Sequence, residues 1–239
     1  MNAIEMRHVE KDYGQFQIKD LNLCLPSGYI MGLIGENGAG KSTTIECILG
    51  TKKADSGEIS ILSLDPQKDR RRLFQRVGVQ FQECDYQPEI KVSELCEETV
   101  CLYKDPADWK KLCTQFGLAN KINSAVKSLS GGERQRLFIV LALIPNPQVV
   151  FLDELTTGLD TKARRDVWKI LEGLKKQGMT IFLTSHFMDE VEALCDEICI
   201  LKKGQIAFYG TIMQAIEKSG CEKFEDAYLT LAGEEVDAE

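Results

Sequence analysis

The chain has 239 residues, 44% of them hydrophobic and 28% charged, the balance of an ordinary globular protein with one sizeable core or a core plus a small satellite. Its formal net charge is −8, which argues against a surface that wraps nucleic acid, so no nucleic-acid partner is expected. No apolar run approaches the roughly 18 residues of a membrane span, and no basic-then-apolar leader opens the chain. A cytoplasmic protein is therefore expected, with any membrane role supplied through a partner.

The first 30 residues alternate short apolar runs, 3–9 and 16–25, with the turn signals Asp12-Tyr13-Gly14 and Pro26-Ser27-Gly28, and they read as antiparallel strands. His8 falls in the first of these, where the sequence offers it no polar company. Tyr13 lies at the turn with an aromatic ring available for stacking on a planar ligand, and Phe16 competes for the same role. A buried strand at 29–34 then leads into Gly35-Glu36-Asn37-Gly38-Ala39-Gly40-Lys41-Ser42-Thr43, and residues 43–49 read as the start of a helix. Strand, Gly-x-x-x-x-Gly-Lys-Ser loop and helix in that order are what a phosphate cradle requires. Glycines let successive N–H groups turn inward on an anion, and the helix N-terminus adds partial positive charge. Lys41 reaches the terminal phosphates and the Ser42 hydroxyl can coordinate Mg²⁺.

A Gly50 stop, a strand at 57–62, a basic helical turn at 68–76 and a strand at 77–83 come next. From Val92 to about Asn120 the apolar spacing turns helical, interrupted at Asp105-Pro106. This is read as a helical subdomain, residues 91–145, inserted into a nucleotide-binding core formed by 1–90 and 146–239. Ser130 with Glu133 three residues on matches a capping box ahead of an apolar helix at 137–144. Gly131 and Gly132 go further than capping requires, leaving bare N–H groups that make a second anion site.

Residues 148–152 form a continuous apolar run, the mark of a parallel strand covered on both faces, and deliver Asp153-Glu154 at its C-terminal end. In an open α/β sheet ligands sit at that edge. Asp153 is placed to hold Mg²⁺ and Glu154 to polarise an attacking water. Gly158-Leu159-Asp160 precede a helix at 161–177, and a buried strand at 179–185 ends at His186, where an imidazole can touch a terminal phosphate. A helix at 187–194, strands at 197–201 and 205–209, and a short acidic helical tail complete the chain. The nine cysteines form no Cys-x-x-Cys pair and mostly lie in apolar or helical stretches, so they read as reduced, buried thiols.

Five separated stretches together resemble one family, the ATP-binding subunits of ABC transporters. They are the phosphate loop, the glutamine Gln82 after a strand, Leu129-Ser130-Gly131-Gly132, Phe151-Leu152-Asp153-Glu154 with Gly158-Leu159-Asp160 beyond it, and His186. The resemblance spans essentially the whole chain and implies an α/β phosphate-loop NTPase core with a mostly parallel sheet, an N-terminal antiparallel β-subdomain and an inserted α-helical subdomain. It implies ATP and Mg²⁺ as cofactors, with Tyr13 on adenine and residues 38–43 on phosphates. Ser42 and Gln82 would reach Mg²⁺, Glu154 would act as general base and His186 would contact the γ-phosphate. It further implies a second ATP-binding subunit, the same or a related chain, whose nucleotide is closed over by Ser130, Gly131 and Gly132, with Asp160 at that interface. The stretch 186–196 and the closing 224–229 are similar to bacterial exporter ATPases serving a separate transmembrane permease on the inner face of the membrane, in drug, antimicrobial-peptide, lipid or polysaccharide export.

Leu155 departs from the proline usual after the glutamate, which removes a fixed φ and adds an N–H. A non-transport ABC ATPase working on ribosomes or DNA is the alternative; such relatives carry two domains or long coiled-coil insertions, and this chain has neither. Asn120-Lys121-Ile122-Asn123 is one residue from a guanine reader but lies ahead of the Asp-Glu strand, which argues against a GTPase.

Overall fold

The computed structural model describes residues 1–80, 86–87 and 89–233. The chain divides into two compact units, one made of 1–73 with 182–239 and the other of 74–181.

In the first unit, β1 (Asn2–Asp12) and β2 (Gln17–Pro26) pair antiparallel, and β1 also pairs antiparallel with a later strand to give a three-stranded sheet. β1 buries Ala3, Ile4, Met6 and Val9. Its register slips between Met6 and Val9, where His8 adopts φ +50 opposite Asp20 at φ +48. The sequence left His8 without polar company, and the fold corrects this. The slip turns the imidazole outward, where Nδ1 lies 2.7 Å from Asp20 Oδ1, and the His8 N–H donates to Asn22 Oδ1 at 2.9 Å.

β3 (Ile30–Ile34) is buried at all five residues and runs straight into the phosphate loop and α1 (Lys41–Ile48). β4 (Ser56–Ile61) completes the antiparallel sheet, and α2 (Arg70–Leu73) is the basic helical turn.

The second unit begins with β5 (Val77–Gln80), followed by α3 (Val92–Val100) and α4 (Trp109–Gln115). α5 (Gly131–Leu143) is one continuous helix that starts at the glycines, six residues before the apolar run first suggests it. Its residues 137–143 are all buried. A helix buried on every side is anchored by packing rather than by an amphipathic stripe, each Leu, Ile or Val there contributing roughly 1.5–3 kcal/mol. Gly78 of β5 permits this packing: a Cβ there would stand 1.8 Å from the Ala142 carbonyl oxygen. β6 (Val149–Leu152), wholly buried, pairs parallel with β5 in the register Val77 to Val149 through Gln80 to Leu152. α6 (Thr161–Lys176) buries only Val167 and Leu171 and turns its charged face outward.

β7 (Thr180–Thr184), again fully buried, carries the chain back into the first unit. There follow α7 (Met188–Leu194), β8 (Glu197–Lys202), which lies parallel to β3, and β9 (Gln205–Gly210), which returns antiparallel on β8. The parallel pairs β3·β8 and β5·β6, the antiparallel N-terminal sheet and the helices inserted between β5 and β6 together make the α/β fold the sequence implied. The helical tail consists of α8 (Ile212–Ser219) and α9 (Phe224–Ala232). Phe224, Tyr228 and Ala232 of α9 and Ala215 of α8 form a core with Ile34, Ile198, Ile200 and Phe208, so the tail packs on the back of the phosphate-loop strand.

Candidate functional site

The phosphate loop is shaped by three glycines at positive φ: Gly35 at +152°, Gly38 at +81° and Gly40 at +109°. At two of them a side chain is also excluded by space. A Cβ on Gly35 would meet the Leu201 carbonyl oxygen at 2.4 Å, and one on Gly40 would meet Phe16 Cζ at 2.8 Å. Ala39 is buried at the turn; its N–H donates to the Glu36 carbonyl at 3.1 Å and its carbonyl accepts the Gly204 N–H at 2.9 Å. Asn37, Gly38 and Ser42 are exposed at the loop's open side. Lys41 folds back over the loop, its ammonium donating to the carbonyls of Gly35 at 2.6 Å and Glu36 at 3.0 Å.

α1 has Gly40 as its N-cap, no side-chain cap and no acidic residue in its first turn. The N–H groups at the start of a helix demand acceptors, and Gly40 at the cap has no side chain to supply one. An eight-residue helix with a left-handed glycine at its start and a lysine over its mouth fits an oligophosphate. Phe16 is committed to packing under Gly40. Tyr13 instead leaves its ring exposed, with Lys11 Nζ 5.4 Å and Lys52 Nζ 5.5 Å from the centroid. His186, also in the first unit, is exposed just beyond β7, its ring 4.2 Å from that of Phe187.

In the second unit β6 delivers Asp153 and Glu154, both half-buried. The turn they open is tightly held. The Asp153 N–H donates to the Gln80 carbonyl and the Gln80 carboxamide donates to the Asp153 carbonyl, both at 3.1 Å. Glu154 adopts φ +50, and its carbonyl accepts the Thr157 N–H at 3.2 Å. The Gln135 carboxamide of α5 donates to the Glu154 carbonyl at 3.3 Å and to the Leu155 carbonyl at 3.0 Å. Leu155 itself is fully buried. Gln80 and Gln135 were not singled out from the sequence. A glutamine in a strand or a helix looks like solvated surface there, and no pattern signalled that these two face the Asp-Glu turn.

The turn at Leu129-Ser130-Gly131-Gly132, the signature turn, is built as its capping box predicts. Ser130 Oγ accepts the Glu133 N–H at 3.2 Å and Glu133 accepts the Ser130 N–H at 2.9 Å, with Lys121 Nζ 3.1 Å from the same carboxylate. The Ser130 N–H holds the Glu133 carboxyl below its ordinary pKa, with Lys121 adding to the effect. Gly132 packs beneath Leu159, where a Cβ would stand 3.1 Å from Cδ2. Gly131 is different: a Cβ there would meet nothing within 4 Å, and its φ lies outside the left-handed region. Neither packing nor backbone conformation asks for glycine at this place. Asp160, assigned by resemblance to an interface, is the N-cap of α6 and accepts the Ala163 N–H at 2.8 Å. Gln82 lies outside the described residues. The eight described cysteines are free, Cys101 exposed and Cys47, Cys96, Cys113 and Cys199 buried.

The described residues contain no cluster of three or more His, Cys, Asp or Glu side chains able to hold a metal. Mg²⁺ carried on a nucleotide needs none, because phosphates and water supply most of its ligands and one carboxylate or hydroxyl completes them. Ser42 and Asp153 are donors of that kind.

Residues 18–157 match the family model described as ABC transporter. Among curated proteins the chain is 37% identical over 236 residues to the Nod factor export ATP-binding protein I of Rhizobium etli, covering 94% of this chain and 73% of that one. The protein of the same name from Rhizobium meliloti strain 1021 is 39% identical over 231 residues, covering 93% and 69%. Among solved structures, an ATP-binding subunit of an ABC transporter superposes with a TM-score of 0.88 at 24% identity, covering 96% of this chain and 99% of that one. The ADP conformation of an ATP-binding cassette of an ABC transporter gives 0.80 at 25% identity, covering 96% and 99%. A dimeric bacterial ABC transporter cassette gives 0.77 at 25%, covering 87% and 98%. The loop, the turn after β6 and the signature turn thus occur within a matched family and a matched fold, and the chain belongs to the ABC transporter family as one of its ATP-hydrolysing subunits.

Proposed function

We propose that the chain drives export by binding Mg²⁺-ATP in a head-to-tail pair with a second ATP-binding subunit and hydrolysing it, passing the motion to a separate transmembrane permease. The observation that carries the nucleotide half is the start of α1, uncapped, free of acid and overhung by Lys41. The observation that favours a second subunit is Gly131, a motif glycine that this fold does not itself require. Export rests on similarity to relatives named for it. The cargo class is then a drug, antimicrobial peptide, lipid or polysaccharide. No helix among the described residues is long and apolar enough to cross a membrane. Attachment to the inner face of the membrane through the permease follows from this reading.

In this mechanism the exposed ring of Tyr13 stacks on the base. The N–H groups of residues 38–43, with Lys41, hold the phosphates. Gly35, Asn37 and Ala39 shape the loop that presents them. Mg²⁺ would supply charge neutralisation at the phosphates when bound with the nucleotide, and Ser42, Gln82 and Asp153 are the residues that would hold it. Glu154 accepts the proton of the attacking water, and His186 orients on the terminal phosphate. Ser130, Gly131 and Gly132 close over the nucleotide of the other subunit, with Asp160 nearby on that face.

Glu154→Gln removes the base while keeping shape. The variant is expected to bind ATP as wild type does and to hydrolyse it on the order of 10²–10⁴ times more slowly, the usual scale for a general base. Single-turnover hydrolysis with purified protein measures this, and near-normal turnover would take Glu154 out of the role.

A further inference from the structure

Glu154 sits at φ +50, a conformation that non-glycine residues hold only where their surroundings over-determine it. The residue after it is leucine, with neither the fixed φ of proline nor its missing N–H. Local support comes from Thr157, whose N–H donates to the Glu154 carbonyl at 3.2 Å and whose hydroxyl donates to Glu154 Oε2 at 3.4 Å, and contacts from distant elements add to it. Three consecutive carbonyls, those of Asp153, Glu154 and Leu155, each accept a hydrogen bond from a glutamine carboxamide. Gln80 serves the first and Gln135 the other two.

The two glutamines differ in what they are attached to. Gln80 is the last residue of β5, which pairs with β6 directly beside the turn, so it fixes the turn to its own sheet. Gln135 projects from α5, whose first turn is the signature and whose later residues 137–143 are anchored in the core. A carboxamide nitrogen carries two protons, so one side chain suffices for both carbonyls.

We propose that Gln135 is the positioning residue for Glu154: it sets the backbone of the 154–155 turn from the signature helix and so makes the aim of the carboxylate depend on where that helix stands. The inference rests on the reading of Glu154 as general base. Gln135 touches neither nucleotide nor water in this account and acts only through the turn. Displacement of α5 by a nucleotide closing on Ser130 to Gly132 would be transmitted to Glu154 of the same subunit by these two hydrogen bonds.

The test is a double-mutant cycle between Gln135→Met and Glu154→Gln, read by steady-state ATPase kinetics. Methionine keeps the length of the side chain and removes the donor. The expected result for Gln135→Met alone is a kcat roughly ten- to a hundredfold lower, the scale of a misaimed reacting group, with KM for ATP within about twofold of wild type. Added to Glu154→Gln, it should cost less than about twofold further, since residues acting as a unit are not additive. Gln135→Glu, which keeps the shape but cannot donate when ionised, serves as the second variant should the first fail to fold, and it should show the same split. A kcat within about twofold of wild type in a folded variant, or a loss equally large in the Glu154→Gln background, would overturn the proposal alone. Full turnover in Glu154→Gln by itself would defeat the reading of Glu154, and this proposal with it.

Discussion

α1 and α5 both begin at glycines inside a motif, and the two starts are built differently. α1 opens at a left-handed Gly40 with no side-chain cap, no acid in its first turn and a lysine folded over it. α5 opens at Ser130 with a complete capping box and a resident carboxylate, Glu133, itself paired with Lys121. The first start leaves its orphan N–H groups for a ligand and is expected to be electrostatically unfinished without one. The second satisfies part of its own need and keeps only Gly131 and Gly132 open. On the proposed function, an anion is therefore expected to bind first and most tightly at α1, with the α5 start suited to a weaker, later contact with a phosphate already held elsewhere.

The largest effect should come from breaking the first start. Lys41→Ala removes one charge-assisted interaction with phosphate, worth about 1.5–3 kcal/mol, so ATP affinity should fall roughly 10- to 150-fold. Equilibrium binding of a fluorescent ATP analogue measures it. An affinity unchanged by Lys41→Ala would mean that the glycine nest alone carries the binding.

Gly131→Ala separates ligand approach from folding at the second start. The added Cβ meets nothing within 4 Å in this chain, and replacing glycine at a compatible φ lowers the entropy of the unfolded chain, so stability should rise by about 0.4–1 kcal/mol. ATP binding by the single subunit should be unchanged, whereas ATP-dependent dimerisation in sedimentation should be lost. A variant that is stabler and still dimerises would leave the glycine without its proposed reason.

Legibility in the sequence follows the same division. The phosphate loop, the capping box and the Asp-Glu strand end were readable because each is a local sequence pattern: glycines and a lysine ahead of a helix, a serine three residues before a glutamate, an apolar run ending in two acids. Gln135 and Gln80 were not, because their partners lie 19 and 20 residues away for Gln135 and 73 for Gln80. Periodicity says which face a residue occupies, and nothing about a specific carbonyl across the fold. His8 was misjudged for the same reason, since its partners Asp20 and Asn22 stand on the neighbouring strand. Asp160 was also locally legible: its place just before a helix fits the N-cap it forms on α6.

The smallest expected effect concerns Glu133, and it tests whether the α5 start is charged as well as capped. Its folded pKa is depressed, first by the Ser130 N–H and then by Lys121, so the folded state binds the proton less readily than the unfolded state. The stabilisation is therefore present above the unfolded value of 4.5 and is lost as pH falls through the lower folded value. Glu133→Gln keeps a capping-box partner but no charge. At pH 7 the variant should melt slightly below wild type, and the gap should close as pH drops below 4.5. Because the carboxylate is close to solvent, 1 M salt should narrow the gap at pH 7 by screening Lys121. Thermal melts at three pH values and two salt concentrations decide the matter. A gap that persists at low pH would assign the role of Glu133 to shape and hydrogen bonding alone. The contrast between the two helix starts would then lie in capping rather than in charge.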